Sequence, residues 1–161
     1  MELMSHNYGK QRVRVMKVLR DAARHEVKEL ECGVQLEGEF EDSFLYGDNR
    51  AVVPTDTIKN TIHTLAHQHL GTQTEPFALL LADHFLHRYS QVSRVTVATT
   101  ERRWDRMMVD GAPHDHSFTG SGMRPVVNVI AARGAAAVMD SGVTELLIMK
   151  STGSGLAGFP R

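Results

Sequence analysis

The spacing of apolar and polar positions changes period twice along this chain, and each change marks a boundary between elements. Residues 10–20 alternate unevenly. Val13, Val15 and Leu19 share one face with Lys17 between them, while Arg12 and Arg14 open the other face and Met16 and Val18 continue it. That mixture predicts a strand whose second face is covered over part of its length. The next pattern is cleaner: Leu30, Cys32, Val34 and Leu36 lie on one face, with Glu29, Glu31 and Gln35 on the other. Period two over this length is that of a half-buried antiparallel strand. The polar residues 21–26 supply the connection.

From Asp56 the period lengthens. Ile58, Ile62, Leu65 and Ala66 recur at helical spacing until Gly71 ends the run. A second helix begins near residues 74–76, where Pro76 suits a first turn, and its buried stripe is Phe77, Leu80, Leu81, His84 and Phe85. Alternation then returns. Val95, Val97 and Thr99 face away from Arg94, Thr96 and Ala98, residues 111–113 make a turn, and Val127, Val129 and Ala131 mark another strand. The order ββααββ, with helices grouped between two strand pairs, predicts an antiparallel sheet carrying both helices on one face, an α+β layer. Beyond residue 135, residues 137–140 and 143–150 read as further strands and 151–155 as a loop. Leu146, Leu147 and Ile148 would then form an exposed apolar edge prone to association.

Composition excludes several classes. At 161 residues the chain can bury a core of its own, and one domain plus a remnant is the natural count. A net charge of -1 makes no electrostatic case for nucleic acid or an anionic membrane. Cys32 has no second cysteine to pair with, which suits a reducing compartment. No apolar run approaches the roughly eighteen residues of a membrane span, and the amino end lacks a signal-peptide pattern. The final residues, Gly158-Phe159-Pro160-Arg161, are not a peroxisomal address, so the expected compartment is the cytoplasm.

Two short stretches carry candidate chemistry. Thr55-Asp56 sits where an apolar strand-like segment hands over to the first helix, a place where helix N–H groups can hold an anion. Lys10 follows Tyr8-Gly9, read as a turn, and opens the first strand. A lysine and a threonine brought together by the fold can relay protons without a cofactor if burial lowers the lysine pKa. The plainer readings are a helix cap for Thr55-Asp56 and a solvated cation for Lys10. Nine histidines include His63 and His67, His84 and His87, and His114 and His116, each pair spaced to share a face. Zinc would need a third convergent ligand.

Read together, the segments form a series: Tyr8-Gly9-Lys10, Val13-Arg14-Val15, Lys17-Val18, Leu36-Glu37-Gly38, Gly47-Asp48-Asn49 and Val53-Pro54-Thr55-Asp56-Thr57-Ile58-Lys59-Asn60. His84-Phe85-Leu86, Trp104-Asp105-Arg106-Met107, Asp110-Gly111, His114-Asp115-His116-Ser117-Phe118, Lys150-Ser151-Thr152 and Gly158-Phe159 continue it. In this order the series resembles the urate oxidase (uricase) family along the whole chain, matching the first half of a family whose members are about twice as long. The resemblance implies a tunnelling fold (T-fold), in which such units join sheets edge to edge into a barrel. Residues 1–134 would form a first unit, and residues 135–161 the opening strands of a second.

It also implies oxidation of urate by O₂ to 5-hydroxyisourate and hydrogen peroxide, with neither metal nor organic cofactor. By position, Lys10 and Thr55 would be the proton-relay pair, and Asp56 would contact urate through its backbone amide. Leu156 would stand where the family stacks an aromatic ring on the purine. The family's site lies between subunits of a homo-oligomer, and its urate-clamping arginine and glutamine, its asparagine and its relay histidine lie beyond position 161. Two other readings remain on the same fold: a histidine-bound zinc enzyme acting on pterins, and a non-catalytic, truncated assembly module. The stretch Trp104-Asp105-Arg106 is expected to contribute core packing and a salt bridge.

Overall fold

The computed structural model describes residues 3, 5–20, 22–151 and 155. Two long strands open the fold, β1 (Tyr8–Leu19) and β2 (Glu26–Gly38), followed by a short helix α1 (Glu41–Tyr46). The long helices α2 (Thr55–His69) and α3 (Glu75–Arg88) come next, then β3 (Val92–Arg102), β4 (Trp104–Val109), β5 (Ala112–Gly120), β6 (Arg124–Ala132) and β7 (Val138–Thr144). Five strands form one antiparallel sheet in the order β1-β2-β3-β6-β7, and β4 and β5 form a separate hairpin. The expected ββααββ order is therefore the frame of the main sheet, with α1 and the hairpin added to it.

The core lies between the sheet and the two long helices. Leu30, Cys32, Val34 and Leu36 of β2 are fully buried, as the alternation predicts, and Val95 and Val97 of β3 and Val129 of β6 join them. From the helices come Ile58, Ile62 and Ala66 of α2 and Phe77, Ala78, Leu81, Ala82, Phe85 and Leu86 of α3. Leu80 and His84, expected in that stripe, are only half-buried, because the contact face is rotated toward Ala78, Ala82 and Leu86. Lys17, the interruption in β1, stays on the helix side for a reason. Its Nζ donates to the carbonyls of His67 and Leu70 at 3.2 and 2.9 Å, satisfying acceptors that the end of α2 would otherwise leave open.

Lys28 performs a similar task at the start of α3. It is buried, donates to the Thr72 carbonyl at 2.8 Å and pairs with Glu101 at 2.5 Å; Glu101 also accepts from the Thr74 hydroxyl at 3.2 Å. The α2–α3 connection is thus tied to two strands by a hydrogen-bonded ion pair.

Opposite the helices the sheet is uncovered and charged. Glu29 is nonetheless buried there, ringed by Arg14 at 2.6 Å, Arg102 at 3.8 Å and the Trp104 indole N–H at 2.9 Å. Trp104 is half-buried in this contact. Arg106 departs from the expected salt bridge: it lies 5.0 Å from the Phe118 ring centre and donates to the carbonyls of His25 and Asp115. The hairpin turns at Asp110 and Gly111, both at positive φ, one residue ahead of the turn expected at 111–113.

The chain past β6 differs from the pattern reading. One strand, β7, replaces the two expected, and residues 146–150 have no regular structure. Only residues 138–144 find β6 as a partner, so the apolar residues after them have no ladder to join. Among the described residues no helix is long and apolar enough to cross a membrane.

Candidate functional site at the amino end of helix α2

Helix α2 lies along β1, held at both ends. Lys17 holds its last turn. At the first, the Tyr8 hydroxyl accepts the Val53 N–H at 2.7 Å, just before the helix begins. Burial raises the Tyr8 pKa, opposed by this hydrogen bond, so the hydroxyl stays a neutral acceptor. Tyr8 and Gly9 belong to β1 itself rather than to the turn expected from their composition. Gly9 is required by proximity, since any side chain there would collide with the Val34 carbonyl of the neighbouring strand.

Pro54 occupies the N-cap position, without a side-chain cap, and Thr55 and Asp56 are the first two helical residues. The plain capping reading therefore does not hold for Thr55. The first helical N–H groups have no partner within the helix, and they face outward together with the positive end of the helix dipole. Thr55 and Asp56 are exposed, whereas Lys10 is half-buried. The Asp56 carboxylate accepts from Lys59 at 2.9 Å. That hydrogen bond and the Lys59 charge hold its pKa below the usual carboxylate value, and Lys10 adds a smaller pull in the same direction. The fold thus brings Lys10 within electrostatic reach of Thr55-Asp56, across about forty-five residues of sequence. Leu156 lies outside the described residues.

Such an arrangement can bind an anion on the helix end and exchange protons with it through a lysine and a hydroxyl. It is open on its outer side. A cleft of about 590 Å³ lies elsewhere, between α3 and the segment after β6, lined by Leu80, Asp83, His87 and Arg133 among others. The histidine pairs are dispersed. His63 and His67 are exposed on α2, His84 packs edge-on to Phe85, His87 bonds to Asp83, and His114 and His116 lie on the hairpin. Among the described residues no three His, Cys, Asp or Glu side chains converge to hold a metal. Sequence reasoning missed the Tyr8–Val53 clamp, although Tyr8 is an aromatic residue of the opposite parity from Val13 and Val15, a signal in itself.

This architecture is the tunnelling fold. The crystal structure of uricase from Arthrobacter globiformis matches all of this chain and 54% of its own length, with a TM-score of 0.85 and 36% identity. Urate oxidase from Bacillus sp. TB-90 shares the fold at a TM-score of 0.82, with 23% identity over 97% of this chain and 59% of that one. In sequence, the uricase family model matches residues 6–128. Uricases of Dictyostelium discoideum and Cyberlindnera jadinii are each 40% identical to it, over 99% and 98% of this chain. The chain belongs to the uricase family. It spans about half the length of these curated relatives, 56% and 53%.

Proposed function

We propose that this chain supplies one side of a urate-oxidising site. Urate, O₂ and water would yield 5-hydroxyisourate and hydrogen peroxide, with no metal or organic cofactor. The observation that carries the reading is the hydrogen bond from the Val53 N–H to the Tyr8 hydroxyl, which ties the start of β1, two residues before Lys10, to the amino end of α2. Urate must lose protons before it yields electrons to O₂, which calls for a base and a fixed polar cradle. Lys10 and Thr55 form the relay, and the Asp56 amide holds the purine anion. By its position in the sequence Leu156 replaces the aromatic residue that the family stacks on the purine, forgoing roughly 0.5–1.5 kcal/mol of stacking.

The open outer side of the site and the edges of β1 and β7, unpaired among the described residues, support a homo-oligomer in which a neighbouring subunit completes it. Residues 135–161 act as the opening of a second unit. A buried cysteine with its thiol pKa pushed up to about 12 suits the cytoplasm, where it stays reduced and inert. Neither nucleic acid nor a membrane is expected as a partner.

The test is replacement in a full-length, urate-oxidising chain carrying these residues. Lys10→Met and Thr55→Ala should each lower turnover roughly 10²-fold or more, the scale of losing a positioned proton transfer. Wild-type rates in either variant would reject the assignment. A polypeptide confined to residues 1–161 should turn over urate negligibly, measured as loss of urate absorbance with peroxide release as control. Light scattering that found only monomer at micromolar concentration would count against the shared site.

A further inference from the structure

The sequence holds one residue too many between Lys10 and Val13 for both to face the helices in a regular strand. Directly opposed residues of an antiparallel pair share a face. Val13 opposes Cys32 and Val15 opposes Leu30, both core residues of β2, so the odd positions of β1 face the helices there. Unbroken alternation would send Lys10 and Tyr8 to the uncovered face, with Arg14 and Glu29. Instead Lys10 opposes Val34 and Tyr8 opposes Leu36, again core residues. The difference is absorbed in one step. Gln11 and Arg12 together stand against Gly33 alone, and Arg12 takes a φ of 58°.

We infer that this bulge is a positioning device for the site, with the Gln11-Arg12 pair setting the face on which Lys10 stands. The inference rests on the proposed role of Lys10 as the relay lysine. Bulges commonly re-aim side chains beside active sites, and this one has the features of a built bulge. The Gln11 amide lies over Gly33, in the space that a side chain there would share with it. Gly9 permits the close approach of the strands immediately before Lys10. Beyond the bulge, Tyr8 is held on the helix side by the edge of Phe40, with ring centres 4.8 Å apart, and by the Val53 N–H. The Arg12 side chain is exposed, and among the described residues it takes part in no hydrogen bond or ion pair. Its contribution is its backbone conformation, and the parity it corrects is a property of the chain.

Parity supplies the test. Deleting Arg12 alone leaves Gln11 opposite Gly33 in a regular ladder and keeps Lys10 opposite Val34. Deleting Gln11 and Arg12 together leaves an equally regular ladder in which Lys10 opposes Gly33 and faces away from the helices. In the 161-residue chain, the Lys10 side-chain ¹³Cε resonance is assigned by its loss in Lys10→Arg. It should respond to Asp56→Asn in the wild type and the single deletion, and not in the double deletion.

In a full-length urate-oxidising chain carrying these residues, the double deletion should lower kcat about as far as Lys10→Met does, roughly 10²-fold or more, with no further loss when Lys10→Met is added. The single deletion should restore turnover. Arg12→Gly should behave as the wild type and Arg12→Val as a partial loss, because a β-branched residue resists positive φ. A Lys10 resonance that responds alike in both deletions, or equal damage from both, would overturn the inference. If Lys10→Met leaves turnover intact, the functional reading falls, and the resonance alone decides the bulge's role.

Discussion

Strands β2 and β7 belong to the same sheet and are both paired by antiparallel ladders, yet one is the most buried of the described strands and the other is exposed throughout. Leu30, Cys32, Val34 and Leu36 of β2 are 0% exposed, whereas Val138, Met139 and Val143 of β7 are 60%, 41% and 48% exposed. Backbone pairing does not separate them. The helix layer does: α2 packs on β1 and α3 on β3 and β6, whereas α3 meets β7 at its first residue, where the Ser141 hydroxyl donates to the Glu75 carboxylate at 3.2 Å. A strand gains its stability from the layer it is packed against, and β7 extends the sheet beyond the packed faces of α2 and α3. The same contrast explains why residues 146–150, apolar as they are, take no regular structure.

The contrast can be sharpened from its buried side first. Phe85→Ala removes a fully buried ring between α3 and the sheet and should cost about 3–5 kcal/mol in denaturant unfolding. A loss below about 1 kcal/mol would mean that the helix layer does not carry the core. Lys28→Met comes next. It leaves the Thr72 carbonyl without its donor and the Glu101 carboxylate with the Thr74 hydroxyl but no cation, at about 1–3 kcal/mol, toward the lower end because Glu101 retains some solvent. An unchanged midpoint would show that the ion pair adds nothing.

A smaller, local effect is expected where the β4–β5 hairpin meets the β1–β2 connection. His116 Nε2 donates to the Ala23 carbonyl at 2.9 Å, and its ring centre lies 4.4 Å from that of His25. Desolvation first, then His116, Arg20 and Arg106, lower the His25 pKa from 6.5, with Asp115 opposing. Because the docked form holds the proton less tightly than the open form, docking is fully favourable above about pH 6.5 and weakens as pH falls below it. Hydrogen exchange corrected for intrinsic rates should show the hairpin opening more at pH 5.5 than at pH 7.5, and less so in His25→Asn. Equal protection at the two pH values would refute this.

The smallest effect belongs to β7. Val143→Thr should change the stability of the dilute chain by no more than about 0.5 kcal/mol, since the side chain is exposed. If β7 is covered in an assembly, the same change should weaken association, read by sedimentation over a concentration series. A large loss in the dilute monomer would show that β7 already belongs to the core.

The legible parts of this protein were those fixed by local period. The buried face of β2, the alternation of Val95, Val97 and Thr99, and the two long helices followed from spacing alone, because burial against a single layer leaves one apolar residue in every two or in every three to four. The family was legible from the ordered series of short segments, and the proposed roles of Lys10, Thr55 and Asp56 rest on that match. What spacing could not disclose was the extra residue at Gln11-Arg12, because a bulge breaks the period that reveals a strand. Nor could it disclose the Tyr8–Val53 clamp, the reach of Lys17 and Lys28 to helix ends, or the hairpin of β4 and β5, whose positions are mostly exposed and so leave no strong pattern. The sequence by itself determined which residues are apolar and at what period, and hence the elements and their layer. Only the tertiary structure decided which face Lys10 occupies and where the sheet outruns its helices, because both depend on pairing between strands distant in the chain.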